Sequence, residues 1–244
     1  MYNWQLAIGL ICPKDNMVTE PEMYSLAVDG ISAHSTRLHT VELDKMPSAA
    51  EREVAALEDM GADVAVYACN ASSFYDGPKA HRQICTQLSK HVDIPVTTAS
   101  TAMLAALEDI GAKKVAVVTP YGERENTRLK QFLEGNGFTP TVISGLGLDS
   151  DDISDLAIVN EQTAVDTYHR VINTDVAQAD AVLVVSTNLA SVDTIEAMET
   201  VLGLPVVTVN QAMYWHSLKL ADFTPKQEGC GYLLSSSTTP MSSD

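Results

Sequence analysis

The chain has 244 residues, 45% of them hydrophobic, enough to bury the core of one large α/β domain or two small ones. Lys and Arg total 15 against 32 Asp and Glu, a formal charge of −17, so the sequence lacks the basic footprint of a nucleic-acid binder and is repelled by anionic membranes. No apolar run approaches the roughly 18 residues of a spanning helix, the first residues lack the basic start of a signal peptide, and four cysteines are too few for a disulfide scaffold; the expectation is a cytoplasmic protein with Cys12, Cys69, Cys85 and Cys230 as free thiols.

In chain order, Leu6–Cys12 is an apolar run without period-2 alternation, as expected of a strand buried on both faces of a parallel sheet. A helix is expected near Thr19. Ser48 with Glu51 three residues on reads as a capping box opening a helix that runs to Met60 and stops at Gly61. Val64–Ala68 is a second buried strand, and Pro78 opens a helix reaching His91. Val115–Val118 is a third strand; Glu123 to Glu134 is helical and ends at Asn136-Gly137. G-L-G-L-D at Gly145 reads as a strand-to-loop turn. Asn160 to Ala177 and Ser191 to Leu202 are helical on either side of a fourth strand, Val182–Val185. The tail from Ser235 to Asp244 is polar and low in complexity and is expected to be mobile. Strands alternating with helices imply a doubly wound α/β architecture.

An internal repeat sharpens this reading. A-D-V-A-V-Y-A-C-N-A-S (Ala62 to Ser72) matches A-D-A-V-L-V-V-S-T-N-L-A-S (Ala179 to Ser191) with one two-residue insertion, and I-P-V-T-T-A-S-T-A-M (Ile94 to Met103) matches L-P-V-V-T-V-N-Q-A-M (Leu204 to Met213). The chain therefore reads as two pseudo-symmetric Rossmann-like lobes, 1–97 plus 210–234 and 98–209, with a site in the cleft between them.

Ligands of parallel sheets bind beyond the carboxyl ends of the strands. Cys69 and Ser186 each follow a buried strand, six residues after Asp63 and Asp180 respectively. Across a cleft, a thiol and a hydroxyl approach one ligand from opposite sides. Small residues after Cys69 leave turn N–H groups open to an anion, and such donors depress a thiol's pKa; the alternative is an ordinary buried strand-end cysteine. Cys12 either lines the cleft or points into the core, Cys85 reads as a helix residue packed inward, and Cys230 carries no assignment. The six histidines lack the paired spacing of metal ligands, no Gly-rich phosphate loop is present, and no G-x-S-x-G elbow accompanies Ser186.

Taken together, G-L-I-C-P-K-D-N-M-V-T-E-P-E-M, H-S-T-R-L-H-T-V, Y-A-C-N-A-S, S-F-Y-D-G, T-T-A-S-T-A, V-T-P-Y, L-G-L-P-V-V and G-C-G-Y-L-L resemble, in this order, the maleate cis–trans isomerase and arylmalonate decarboxylase branch of the aspartate/glutamate racemase superfamily. The resemblance implies a two-lobed α/β fold with an active site needing neither metal nor organic cofactor. It places Cys69 on the first catalytic cysteine and Ser186 where the family usually has its second. Asn16 and Tyr121 fall on carboxylate-binding positions; Asn70, Ala71 and Thr187 follow the two catalytic positions as donors; Asn160 matches a further carboxylate contact. Each also has a purely structural reading: Asn16 caps the helix near Thr19, Asn160 caps the next helix, Tyr121 packs between helix and sheet, and Thr187 satisfies turn amides.

Three chemistries follow from the resemblance. Two-base racemisation suits a serine poorly. Cis–trans isomerisation of a maleate-like acid needs one thiolate to add, allow rotation and leave. Decarboxylation of an arylmalonate needs one thiol as proton donor and an apolar pocket for the departing carboxylate. His34, Ser35, Thr36, Arg37 and His39 read as a polar, cationic pocket wall able to grip a second carboxylate, which favours the isomerase. A non-catalytic carboxylate binder is the remaining alternative. The expected partner is a small carboxylic or dicarboxylic acid, with no nucleic acid and no membrane; the sequence leaves oligomeric state open, a homodimer included.

Overall fold

The structure, a computed structural model, describes residues 4–40, 42–148, 163–225, 227 and 229–236. Two four-stranded, wholly parallel sheets organise it. The first comprises β1 (Leu6–Pro13), β2 (Ile31–Leu38), β3 (Val64–Tyr67) and β4 (Val96–Thr98) in the order β2-β1-β3-β4. The second comprises β5 (Lys114–Tyr121), β6 (Thr139–Leu148), β7 (Ala181–Val184) and β8 (Val206–Thr208) in the order β6-β5-β7-β8. The permutation is the same in both, as the repeat requires.

The four strands read from sequence lie where expected, because each is covered on both faces; β3 and β7 are buried at every position. β2 and β6 are edge strands with half-exposed centres, so their apolar residues do not form a continuous run. β4 and β8 have three residues each, too few to establish a period. Gly145 and Gly147 lie inside β6 and not in a turn: β6 runs on to Leu148, with a register shift against β5 between Thr119 and Tyr121.

Ten helices are described. Those of the first half are α1 (Thr19–Leu26), α2 (Met46–Met60), α3 (Asn70–Phe74), α4 (Ala80–Leu88) and α5 (Ala99–Asp109). The second half contributes α6 (Glu123–Gly135), α7 (Ala164–Ile172), α8 (Ile195–Leu202, led by a 3₁₀ turn at Val192–Thr194), α9 (Val209–Leu220) and α10 (Tyr232–Ser236). The capping box expected at Ser48 does not form. Pro47 is tolerated in the first turn and lets α2 start at Met46, which places Ser48 inside the helix. Gly61 ends α2 in the left-handed region at φ +95°. α4 starts two residues after Pro78 and stops before His91. α7 opens on a capping box of Thr163 and Asp166; the start expected at Asn160 lies outside the described residues. Ser235 and Ser236 close α10 and so belong to a helix, against the expectation of a mobile tail from Ser235.

α5 and α9 pack on each other and against strands of both sheets. One hydrophobic cluster consequently runs through both halves, from Leu10 and Val66 through Met103 and Met213 to Val117 and Leu183. A second cluster, including Ile11, Tyr67, Leu57 and Ile84, fills the outer face of the first sheet beneath α2 and α4. The carboxyl ends of β1, β3, β5 and β7 face one cleft.

Candidate active site

Cys69 follows β3 and occupies the position before the first turn of α3 in extended backbone, with 5% of its surface exposed. Its Sγ lies 3.6 Å from Met46 Sδ. The leading N–H groups of α3 have no intrahelical acceptor, by helix geometry, and Asn70 and Ala71 both line the cleft. Asn70 is 1% exposed; its Nδ2 donates to Ser100 Oγ at 3.1 Å, while its Oδ1 has no hydrogen-bond partner among the described residues.

Ser186 follows the end of β7 and is 5% exposed, with φ +126°, a region that residues bearing a Cβ rarely adopt. Its Oγ accepts the N–H of Asn188 at 3.1 Å. Tyr121 closes β5, buried, with its ring edge-on to Phe74 at 6.0 Å between centroids. Its backbone carbonyl accepts from Asn126 Nδ2 at 2.8 Å. A Cβ at Gly145 would stand 2.4 Å from that carbonyl, so glycine there is what allows β6 to pass this close to Tyr121.

The loop after β1 is laced to the loop after β7. Asn16 Oδ1 accepts the N–H groups of Val18 and Thr19 at 3.2 and 3.0 Å, and its Nδ2 donates to Thr187 Oγ1 at 3.2 Å. Asn188 Oδ1 accepts from Met17 N at 2.9 Å, and Thr19 Oγ1 donates to the Thr187 carbonyl at 3.0 Å. From α1, buried Glu22 accepts from Ser191 N, Val192 N and Asn210 Nδ2 at 2.5, 2.8 and 2.6 Å. Burial pushes the Glu22 carboxyl above its ordinary value, and these three donors pull the other way.

The cleft is lined by Pro13, Asp15, Leu43, Met46, Cys69, Asn70, Ala71, Tyr121, Ser186 and Thr187. Six of the eight residues singled out from sequence thus meet at one place. Asn16 stands one hydrogen bond behind, through Thr187, and Asn160 lies outside the described residues. Sequence reasoning missed Leu43, in the turn before α2, and Met46, the first residue of α2, which reach the cleft with no local signal. It also passed over Pro13 and Asp15, which were visible in the P-x-x-N stretch.

The wall expected from His34 to His39 is not there. In β2, Arg37 pairs with Glu20 and donates to the carbonyls of Asn16 and Pro13, the latter at 3.3 Å. Ser35 donates to Glu20, Thr36 donates to Glu53, and His34 Nε2 lies 2.9 Å from Ser32 Oγ. These side chains brace the β1 loop and α2; none lines the cleft. The register Cys12↔Arg37 explains this, since β2 lies beyond β1 and its side chains reach the loop's outer side.

Cys12 points into the core at 0% exposure. The Cys85 thiol lies 3.6 Å from Thr101 Oγ1, and burial raises its pKa. None of the four cysteines is in a disulfide. Among the described residues no three His, Cys, Asp or Glu side chains converge as metal ligands, and no helix is long and apolar enough to cross a membrane.

The model of the arylmalonate decarboxylase family matches residues 8–234. The chain belongs to that family. It is 28% identical over 201 residues to an arylmalonate decarboxylase of Bordetella bronchiseptica, covering 82% of this chain and 75% of that protein. It is 26% identical over 247 residues to a maleate isomerase of Geobacillus stearothermophilus, covering 93% and 96% respectively. Among solved structures, Nocardia farcinica maleate cis–trans isomerase superposes with a TM-score of 0.87 at 25% identity, covering 95% of this chain and 98% of that one. That structure is of a cysteine-to-serine mutant with a covalently bound succinylcysteine intermediate. The two-lobed α/β fold and the membership of this enzyme family are therefore as the sequence implied.

Proposed function

We propose that this chain is a cofactor-independent cis–trans isomerase of a small, maleate-like dicarboxylic acid, acting through the Cys69 thiolate in a cytoplasmic, reducing setting. The observation that carries the reading is the meeting of Cys69 with Ser186 and a set of neutral donors in one cleft. The thiolate adds to one alkene carbon, forming a C–S bond, and the π electrons pass into the adjacent carboxylate as an enediolate. The former double bond is now single and rotates. The electron pair then returns, the trans double bond forms and the thiolate leaves.

The enediolate needs preorganised donors that carry no charge of their own. In this reading they are the leading N–H groups of α3 at Asn70 and Ala71, the Asn70 amide, the Tyr121 hydroxyl and Thr187, with Asn16 holding Thr187 in place and Asn160 a further contact. A buried amide atom without a partner costs about 1–3 kcal/mol. A bound acid relieves that cost at Asn70, whose side-chain amide presents its N–H₂ after a half-turn. Ser186 supplies a hydrogen bond from the opposite side. The relative that carries a succinylcysteine, a saturated adduct in which the enediolate carbon has gained a proton, is itself a mutant with serine in place of a cysteine, which supports addition of a single thiol to the alkene.

Incubation with maleate is expected to yield fumarate, with a maleate-derived adduct on the Cys69 peptide by mass spectrometry. No fumarate and no adduct, with CO₂ released from an arylmalonate, would favour the second reading, a decarboxylase with Cys69 as proton donor. One observation supports that reading: Leu43 and Met46 give the cleft an apolar wall beside Cys69, the surroundings that destabilise a departing carboxylate.

A further inference from the structure

We propose that Asp15 makes the cleft select an acid with a single free carboxylate, its other end being uncharged and able to donate a hydrogen bond, as in the half-amide of a cis-enedioic acid. The proposal rests on the reading of the cleft as an acid-binding isomerase site and narrows its substrate class. Asp15 is half-buried and lines the cleft, yet no hydrogen bond or ion pair within the described residues engages its carboxylate. Among the described residues it is the one charged residue lining the cleft.

The neighbouring cations are engaged or placed elsewhere. Lys14, its neighbour, is exposed and lies outside the lining; Arg37 is held by Glu20 and two backbone carbonyls; His34 is bonded to Ser32, and His39 is exposed. The neutral donors gathered at the start of α3 and at Thr187 suit one carboxylate. What remains of the lining is Pro13, Leu43 and Met46 beside Asp15. A second carboxylate placed there sheds water, gains no cation and faces a like charge, whereas an amide donates an N–H to Asp15 and neutralises nothing. Selectivity of this kind comes from the repulsive element as much as from the attractive one.

The test uses the unreactive saturated pair, succinate and its half-amide, as protectants of Cys69 against iodoacetamide, read by mass spectrometry of the Cys69 peptide. The half-amide is expected to protect at about tenfold lower concentration than succinate, and Asp15→Asn is expected to bring that ratio close to one. A ratio at or below one in the natural protein overturns the proposal, as does a ratio that Asp15→Asn leaves in place. Failure of both acids to protect overturns it together with the acid-binding site. Turnover separates the two readings. Fumarate from maleate with an unchanged protection ratio leaves the isomerase standing without Asp15 selectivity; the expected ratio with no trans product from maleate or its half-amide leaves the selectivity standing without the isomerase.

Discussion

The corners after β3 and β7 descend from matching sequence and have become different things. Both begin with an aspartate whose carboxylate caps backbone N–H groups at the strand's start: Asp63 accepts from Ala7 at 2.7 Å, and Asp180 from Lys113 and Lys114 at 2.9 and 2.8 Å. Six residues on, they diverge. After β3 the chain enters a helical turn at once, with Cys69 in relaxed, extended backbone. After β7 the two extra residues keep the chain irregular up to the 3₁₀ turn, with Ser186 in strained backbone. That strain persists because the corner is tied to the other lobe through Asn16, Asn188, Thr19 and Glu22. In the proposed mechanism one corner reacts and the other holds position.

Exchanging the reactive group tests this division most severely. Cys69→Ala is expected to lower kcat by about 10⁴-fold or more with the fold intact, measured as fumarate formation alongside far-UV circular dichroism. Activity within tenfold of the natural protein would remove the thiol from the mechanism. Next comes the tie that holds the second corner. Glu22→Ala leaves the buried N–H groups of Ser191 and Val192 without an acceptor and takes one of two from Asn210 Nδ2, and is expected to cost about 3 kcal/mol, a fall in Tm of roughly 6–12 °C. Glu22→Gln, which keeps an acceptor for Ser191 and Val192, is expected to cost about 1 kcal/mol. Equal losses in the two variants would show that neither the side chain's size nor its bonds to Ser191 and Val192 hold the corner, leaving the carboxylate's charge and its bond to Asn210.

A smaller effect is expected at Ser186 itself. Ser186→Gly relieves the backbone and Ser186→Ala does not, while both lose the bond to Asn188, so the glycine variant should be the more stable by about 1 kcal/mol in denaturant unfolding. The reverse order would mean that the corner is not strained. The smallest effects are those of pH. Burial holds His216 and His81 below the ordinary histidine value of 6.5. The unfolded chain therefore binds protons that the native state refuses, and stability is lost as pH falls below 6.5 towards the native values. Glu22 has the opposite sign, since its raised carboxyl makes ionisation costly in the native state and its contribution declines as pH rises from 4.5. A stability curve between neutrality and about pH 5 should flatten in His216→Gln.

Much of this comparison was legible in the residues. The repeat paired Cys69 with Ser186, and the continuous apolar runs located β1, β3, β5 and β7, because a strand covered on both faces has no polar side to reveal. β2 escaped for the converse reason: His34, Ser35, Thr36 and Arg37 find polar partners in Ser32, Glu20, Glu53 and the β1 loop, so a structural strand looked like a binding wall. Nothing local marks Leu43 and Met46, which reach Cys69 only because α2 packs over the first sheet.

The sequence by itself determined the alternation of strands and helices, the duplication and the two residues that end equivalent strands, since burial and chain periodicity are local properties of an ordered string. Only the tertiary structure decided which charges reach the cleft. Arg37 turned to Glu20 and Asp15 was left at the cleft without a partner among the described residues, because the partner of a charge is set by what lies across space when the loops close.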